Sequence, residues 1–159
     1  MIIQYNKRYE EDVKNLLVEL QSHLVDLDKE EYLIVTKNSG EIYLEHLLFD
    51  VNKYKGKIFL YKEKEQIVGL VCGVVNNEEE ATFETIVPKR GRITELVVSK
   101  KHRGKGIGKK LLNKMEEYLL GLGCKDVLLS VYAYNETAVE FYEKNGYHAR
   151  MLTMTKKVL

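Results

Sequence analysis

Residues 92–132 read as a strand, a basic glycine-rich loop, an amphipathic helix and a second strand, and few folds accommodate that order. RITELVV (92–98) is a compact apolar strand. Beyond the loop, Ile107, Leu111, Leu112, Met115, Tyr118, Leu119 and Leu122 fall on one face of a helical period. Gly121 and Gly123 end that helix, and DVLLSVY (126–132) resumes as a strand. A strand–helix–strand unit of this kind is a parallel, right-handed crossover. The preceding strands, KIFLYKE (57–63) and QIVGLVCGVV (66–75), pair as a hairpin, so the sheet is expected to be mixed.

The rest of the chain fits around this unit. IIQY (2–5) is a short first strand. Apolar residues recur at helical spacing from Tyr9 to Asp26, DLDKEEY (26–32) interrupts them, and a second helix is expected over 40–50. NNEEE (76–80) is an acidic turn, and ATFETIV (81–87), loop or strand, leads to Pro88, the only proline. ETAVEFYEKNG (136–146) is a short helix with Asn135 as N-cap and Gly146 at its end. The tail, HARMLTMTKKVL, is expected to contain a final strand. The predicted order is β, two helices, three or four strands, α, β, α, β, in a single α/β (α+β) domain over residues 1–159.

Charge narrows the function. The chain carries +1 overall and a pI near 7.7, which points to neither nucleic acid nor membrane as a partner of the whole surface. Yet KKHRGKGIGKK (100–110) gathers six Lys/Arg and one His with no acid among them. A helix N-terminus already carries about +0.5 charge from its macrodipole. Placing Lys109 and Lys110 in the first turn therefore costs stability, unless an anion sits there. Free backbone N–H groups at a helix start bind phosphate, and glycines let the backbone approach closely. The P-loop pattern fails, because Lys110 follows Gly108-Lys109 and Arg103 stands at the upstream glycine. The dinucleotide fingerprint fails because Lys109 replaces its third glycine. A solvated basic helix start is the plain alternative.

The spacing that fits is Arg103-x-x-Gly106-x-Gly108, after a strand and before an amphipathic helix. Here the sequence resembles the GNAT superfamily of N-acetyltransferases, whose coenzyme A pyrophosphate loop is (Gln/Arg)-x-x-Gly-x-(Gly/Ala). YNETAVEFYEKNGY (134–147) resembles the second signature of the family: an Asn, an Ala, a Phe-Tyr pair and a Gly-Tyr. The two motifs cover residues 92–148 or so, about a third of the chain. The resemblance implies a GNAT fold, with a mixed central sheet flanked by helices and a β-α-β-α acetyl-CoA-binding core.

The resemblance also assigns roles. The fourth strand would part from the fifth and admit the pantetheine arm, with backbone groups of Leu96, Val97 and Val98 bonding it and one N–H near Val97 polarising the thioester. Residues Gly104, Lys105, Gly106, Ile107, Gly108 and Lys109 would wrap the pyrophosphate through N–H groups, with charge from Arg103 and nearby lysines. Asn135 would add a cofactor contact to its cap. Tyr142, two turns further along the same helix face, would protonate the departing thiolate, the alternative being a core aromatic. Some members carry a Glu five residues before the Asn; here that position is Ser130. Glu95 is the nearest acid, as base, water relay or amine anchor, or else a salt-bridge partner at the strand edge. Glu78–Glu80, Glu84 and Asp26–Glu31 could attract a cationic amine or simply be solvated.

The expected activity is acetyl transfer from acetyl-CoA to a primary amine of a small molecule, by direct attack in a ternary complex. The alternatives are a protein N-terminal or lysine acetyltransferase and a non-catalytic acyl-CoA-binding regulator. No His/Cys spacing suits a metal, and Cys72 and Cys124 lie outside any CxxC. Free thiols and an N-terminus that turns charged within seven residues point to a cytoplasmic protein without a signal peptide. No apolar run approaches the ~18 residues of a membrane span. A homodimer is the family's habit and an expectation here.

Overall fold

The computed structural model describes residues 1–75 and 88–158. The turn at 76–80, the segment 81–87 and Glu84 lie outside the described residues. The elements, in chain order, are β1 (Ile2–Gln4), α1 (Glu10–Leu27), α2 (Ser39–Lys53), β2 (Lys57–Glu63), β3 (Gln66–Val75), β4 (Arg90–Val98), α3 (Ile107–Gly121), β5 (Asp126–Leu129) and α4 (Glu136–Lys144). The strands form one sheet in the order β1-β2-β3-β4-β5, antiparallel except for the β4–β5 pair. This is the mixed sheet flanked by helices that the sequence predicts.

Each face of the sheet buries its own core. Val13, Leu16 and Leu17 of α1 and Leu44 and Leu47 of α2 pack with Ile58, Leu60, Leu70 and Cys72 on one face. Ile107, Leu111, Leu112, Met115 and Leu119 of α3 cover Val68, Val71 and Ile93 on the other. β3 is buried along nearly its whole length because it lies under helices on both sides, which explains its continuous apolar sequence. Gly73 and Gly91 let α3 come close. A Cβ at Gly73 would lie 2.5 Å from Met115 Sδ, and one at Gly91 2.6 Å from a Leu119 methyl.

Two irregularities mark β4. Cys72 pairs with Glu95 but Gly73 pairs with Ile93, so Thr94 is an extra residue, a β-bulge. The bulge changes which residues share a face. Ile93 packs under α3, while Glu95 stands opposite Cys72 on the α1/α2 side. In an unbroken strand, residues two apart would point the same way. The second irregularity is that β5 pairs only with Arg90–Ile93 and stops where the bulge begins. The strand expected over 126–132 thus ends at Leu129. The closed end of the pair is pinned by Arg90 Nε on Asp126 Oδ2 at 3.4 Å and by Lys125 N–H on the Lys89 carbonyl at 2.8 Å.

The final strand expected in the tail does not form. Residues 148–158 make no strand and every one of them is exposed. The segment has strand-like composition, but a strand needs a partner ladder, and residues 148–158 pair with no described strand.

The α3 face carries much of the core, so Leu111, fully buried, is a sensitive probe. Leu111→Ala is expected to cost about 2–5 kcal/mol, read as a lower urea midpoint with an unchanged slope.

Candidate active site

The end of β4 beyond Ile93 leaves one side open. Ser99 N–H bonds the Val68 carbonyl on β3 at 2.9 Å. Backbone groups alternate sides along an antiparallel strand. Val97 therefore also turns its N–H and C=O toward β3, while Leu96 and Val98 turn theirs toward the gap left by β5. Of the three residues expected to line the cofactor arm, Leu96 and Val98 have the right backbone orientation. Val97 contributes a side chain 3% exposed in the α1/α2 core. The backbone N–H groups that face the gap are those of Leu96 and Val98, one residue to either side of Val97.

The basic loop forms the end of this gap. Gly104 and Gly106 have φ of +76° and +73°, left-handed values that favour glycine. A Cβ built at either would meet nothing within 4 Å, so their freedom serves the turn and leaves open space above it. Gly106 is the N-cap of α3 and no side chain caps the helix. The ladder begins with Lys110 N–H on the Gly106 carbonyl, so the N–H groups of Ile107, Gly108 and Lys109 precede it. The Ile107 side chain is buried, so only its backbone is available. Gly108 sits against the Phe141 ring, where a Cβ would lie 3.4 Å away.

Arg103 is more local than its sequence position implies. Its Nε donates to the Val98 carbonyl at 2.9 Å, closing the loop on the strand it leaves. Two acids that sequence reading missed hold the loop from beneath. Glu19 of α1 accepts the Lys100 N–H at 2.6 Å. Glu63, at the end of β2, lies 3.5 Å from His102 Nε2 and 3.8 Å from Lys105 Nζ. Eighty-one positions separate Glu19 from Lys100, and no sequence signal links them. Lys105 and Lys109 remain at the exposed surface of the loop.

On the α1/α2 side of β4 stands Glu95. Burial pushes its carboxyl up to about 7, against a hydrogen bond from the Tyr43 hydroxyl that lowers it. Tyr43, on α2, is itself pushed up by burial, by the charge of Glu95 and by their hydrogen bond. Sequence reading also missed Tyr43, which looks like any half-apolar helix residue. A carboxyl titrating near neutrality beside an open strand edge suits proton transfer.

α4 borders the gap on the other side. Asn135 is buried and its Oδ1 accepts Ala138 N–H at 3.4 Å, the expected N-cap. The cap uses only the oxygen, and the amide group of the same side chain can donate to a ligand. Tyr142 packs edge-on against Phe141 at 5.3 Å and Tyr147 at 5.7 Å. Burial, then the charge of Glu95, pushes its hydroxyl up to about 12. The carboxyl of Glu95 is thus near enough for its charge to act on the Tyr142 hydroxyl. Ser130 is exposed just past β5, and Cys72 and Cys124 are buried in the two cores. Asp28 is spent on the backbone N–H groups of Glu30, Tyr32 and Leu33. Among the described residues no three His, Cys, Asp or Glu converge as metal ligands, and no helix is long and apolar enough to cross a membrane.

Comparison with known proteins bears on the fold and the family. A family model described as "Acetyltransferase (GNAT) family" matches residues 20–147. The BH1408 protein from Bacillus halodurans, solved as a mutant, superposes with a TM-score of 0.87 at 19% identity, covering 100% of this chain and 99% of that one. A putative acetyl transferase from Pyrococcus furiosus has a TM-score of 0.74 at 28% identity, covering 99% of both chains. An aminoglycoside antibiotic 6'-N-acetyltransferase from Acinetobacter haemolyticus has a TM-score of 0.72 at 14% identity, again covering 99% of both.

Gly106→Ala tests the loop. A left-handed alanine costs roughly 1–2 kcal/mol, so any shift of the loop away from that strain should weaken coenzyme A binding by about 5–30-fold. Titration calorimetry with coenzyme A reads this, and wild-type affinity in the variant would show that the turn is not the phosphate cradle.

Proposed function

The chain belongs to the acetyltransferase (GNAT) family, and from that premise we propose that it transfers an acetyl group from acetyl-CoA to a primary amine of a small molecule. The observation that carries the reading is the parting of β4 from β5 beyond Ile93, beside a glycine loop that leads into an uncapped helix start. Acetyl-CoA is a substrate, and the residues present suit its parts. The N–H groups of residues 107–109 and the open space above Gly104 and Gly106 suit a pyrophosphate. The backbone of Leu96 and Val98 suits the pantetheine arm laid along β4 as an added strand. Asn135 offers its amide.

The reaction then runs by direct attack. The amine must be neutral to attack, and free alkyl amines have pKa near ~10. Glu95, ionised above about 7, takes the proton from the incoming ammonium or from the tetrahedral adduct, directly or through water. The backbone N–H of Leu96 or Val98 holds the oxyanion of the adduct. The carbon–sulfur bond breaks and the thiolate leaves. Tyr142, neutral at any working pH with its hydroxyl near 12, donates a hydrogen bond to the developing thiolate and supplies its proton. The products are the amide and free coenzyme A, and the proton lost by the amine balances the one gained by sulfur. The acceptor enters from the α1/α2 side, where Glu95 and Tyr43 face it.

Coenzyme A release from acetyl-CoA, measured against polyamines, aminoglycosides, amino acids and short peptides, tests the whole reading. Release only with peptides would move the acceptor from small molecule to protein. No release with any acceptor, despite acetyl-CoA binding, would favour a regulator.

Tyr142→Phe is expected to lower kcat by about 100-fold or more while KM for acetyl-CoA changes little; equal loss of both would remove the general-acid role. The pH dependence follows from Glu95. The active form is the carboxylate, so kcat/KM for the acceptor should rise with pH through about 7, and Glu95→Gln should erase that limb. Because burial raises this carboxyl above its usual 4.5, the folded chain binds the proton more tightly than the unfolded one. Its contribution to stability is therefore greatest below 4.5 and falls as pH rises toward about 7.

A further inference from the structure

We propose that Glu63 is a counter-charge beneath the phosphate loop: it holds Lys105 until a phosphate claims it, and so sets how tightly coenzyme A is bound and how readily it leaves. The inference deepens the reading of the loop as a phosphate cradle and rests on it. The observation is one carboxylate oxygen shared by two side chains of a stretch, 100–110, that has no acid of its own. Glu63 Oε2, at the end of β2, lies 3.5 Å from His102 Nε2 and 3.8 Å from Lys105 Nζ. Among the described residues, no other acid comes within ion-pair distance of a Lys, Arg or His side chain of this stretch.

The position of the loop does not depend on Glu63. Ser99 N–H bonds the Val68 carbonyl, Lys100 N–H bonds Glu19, His102 N–H bonds the Ser99 carbonyl at 2.8 Å, and Arg103 Nε bonds the Val98 carbonyl. These bonds fix the backbone on both sides of His102, and Gly104 and Gly106 set the turn beyond it. What Glu63 adds is charge. The His102 side chain is mostly covered, and its Nδ1 is buried with no hydrogen-bond partner among the described residues. The polar contact of that ring is therefore the one with Glu63.

The pair with Lys105 is made to exchange. The Lys105 and Glu63 side chains are 54% and 41% exposed, and an ion pair this open to water is weak. Lys105 stands two residues before Ile107, where the uncapped helix start begins, so its ammonium can turn from Glu63 to an anion seated there. Glu63 is tied to the same spot through Lys105. Its charge therefore acts on any anion that Lys105 can reach, within a Debye length of about 8–10 Å. A pyrophosphate draws Lys105 and is repelled by Glu63. Acetyl-CoA and coenzyme A carry the same pyrophosphate, so a loop with its positive charge uncompensated would grip substrate and product alike. Such uniform binding does not speed the chemical step, and it slows departure of the product. Glu63 reduces that grip.

Titration calorimetry of the full chain with coenzyme A, at one fixed pH, tests this. Glu63→Gln keeps the shape and removes the charge. It should tighten coenzyme A by about 3–10-fold, with affinity that falls more steeply as salt is added. Glu63→Lys should tighten it further, and Glu63→Asp, which retains the charge, should bind as the wild type does. Thermal midpoints should stay at the wild-type value throughout. In turnover, Glu63→Gln should lower KM for acetyl-CoA without raising kcat. Unchanged or weaker binding in the Gln and Lys variants would overturn the proposal and make Glu63 a brace of the loop, with the loop still the phosphate site. A wild-type chain that binds no coenzyme A would overturn this proposal and the reading of the loop together.

Discussion

The parting of β4 from β5 at Ile93 is the constraint on which the rest depends. A continuous ladder would leave no backbone group free in the middle of the sheet. Pairing stops at Ile93↔Leu129, and the next residue of β4 is the bulged Thr94. A bulge bends its strand and increases its twist, which carries β4 away from its parallel neighbour. The closed end stays pinned by Arg90 and Asp126, so the split is a wedge with a fixed apex. The same extra residue places Glu95 on the α1/α2 face. One irregularity thus opens the cofactor gap and aims the acid at the acceptor side.

The electrostatics divide along the wedge. At its mouth, six Lys/Arg surround a helix start, and the first N–H groups of α3 have no cap. Glu19 and Glu63 hold this loop through a backbone N–H and through side chains from beneath, so the outer face stays positive. Deeper in, burial rather than charge dominates. It raises both Glu95 and Tyr142, and each then exists in the form its proposed role requires near neutral pH: the carboxyl poised between states, the phenol protonated. Tyr43 restrains the first shift with a hydrogen bond.

Much of this was legible along the chain because it is local. Hydrophobic period predicts both long helices and α3, and β2 and β3 match their expected limits residue for residue. Gly104 and Gly106 are readable because left-handed turns select glycine, and Asn135 because a cap must accept from a nearby N–H. The readings that changed all needed a partner at a distance. The strand of 126–132 ends early because β4 bends away, and the tail forms no strand because it pairs with no described one.

The sequence by itself determined the helices and most of the strands, the phosphate-loop spacing and the two signatures of the family, since each is written within a few turns of chain. The tertiary structure alone decided that Thr94 bulges, that Leu96 and Val98 rather than Val97 face the gap, that Tyr43 meets Glu95 and that Glu19 steadies Lys100. Those outcomes are set by register between strands and by packing of helices far apart in sequence. Such contacts follow from how the whole chain satisfies its buried backbone groups, and no local pattern encodes them.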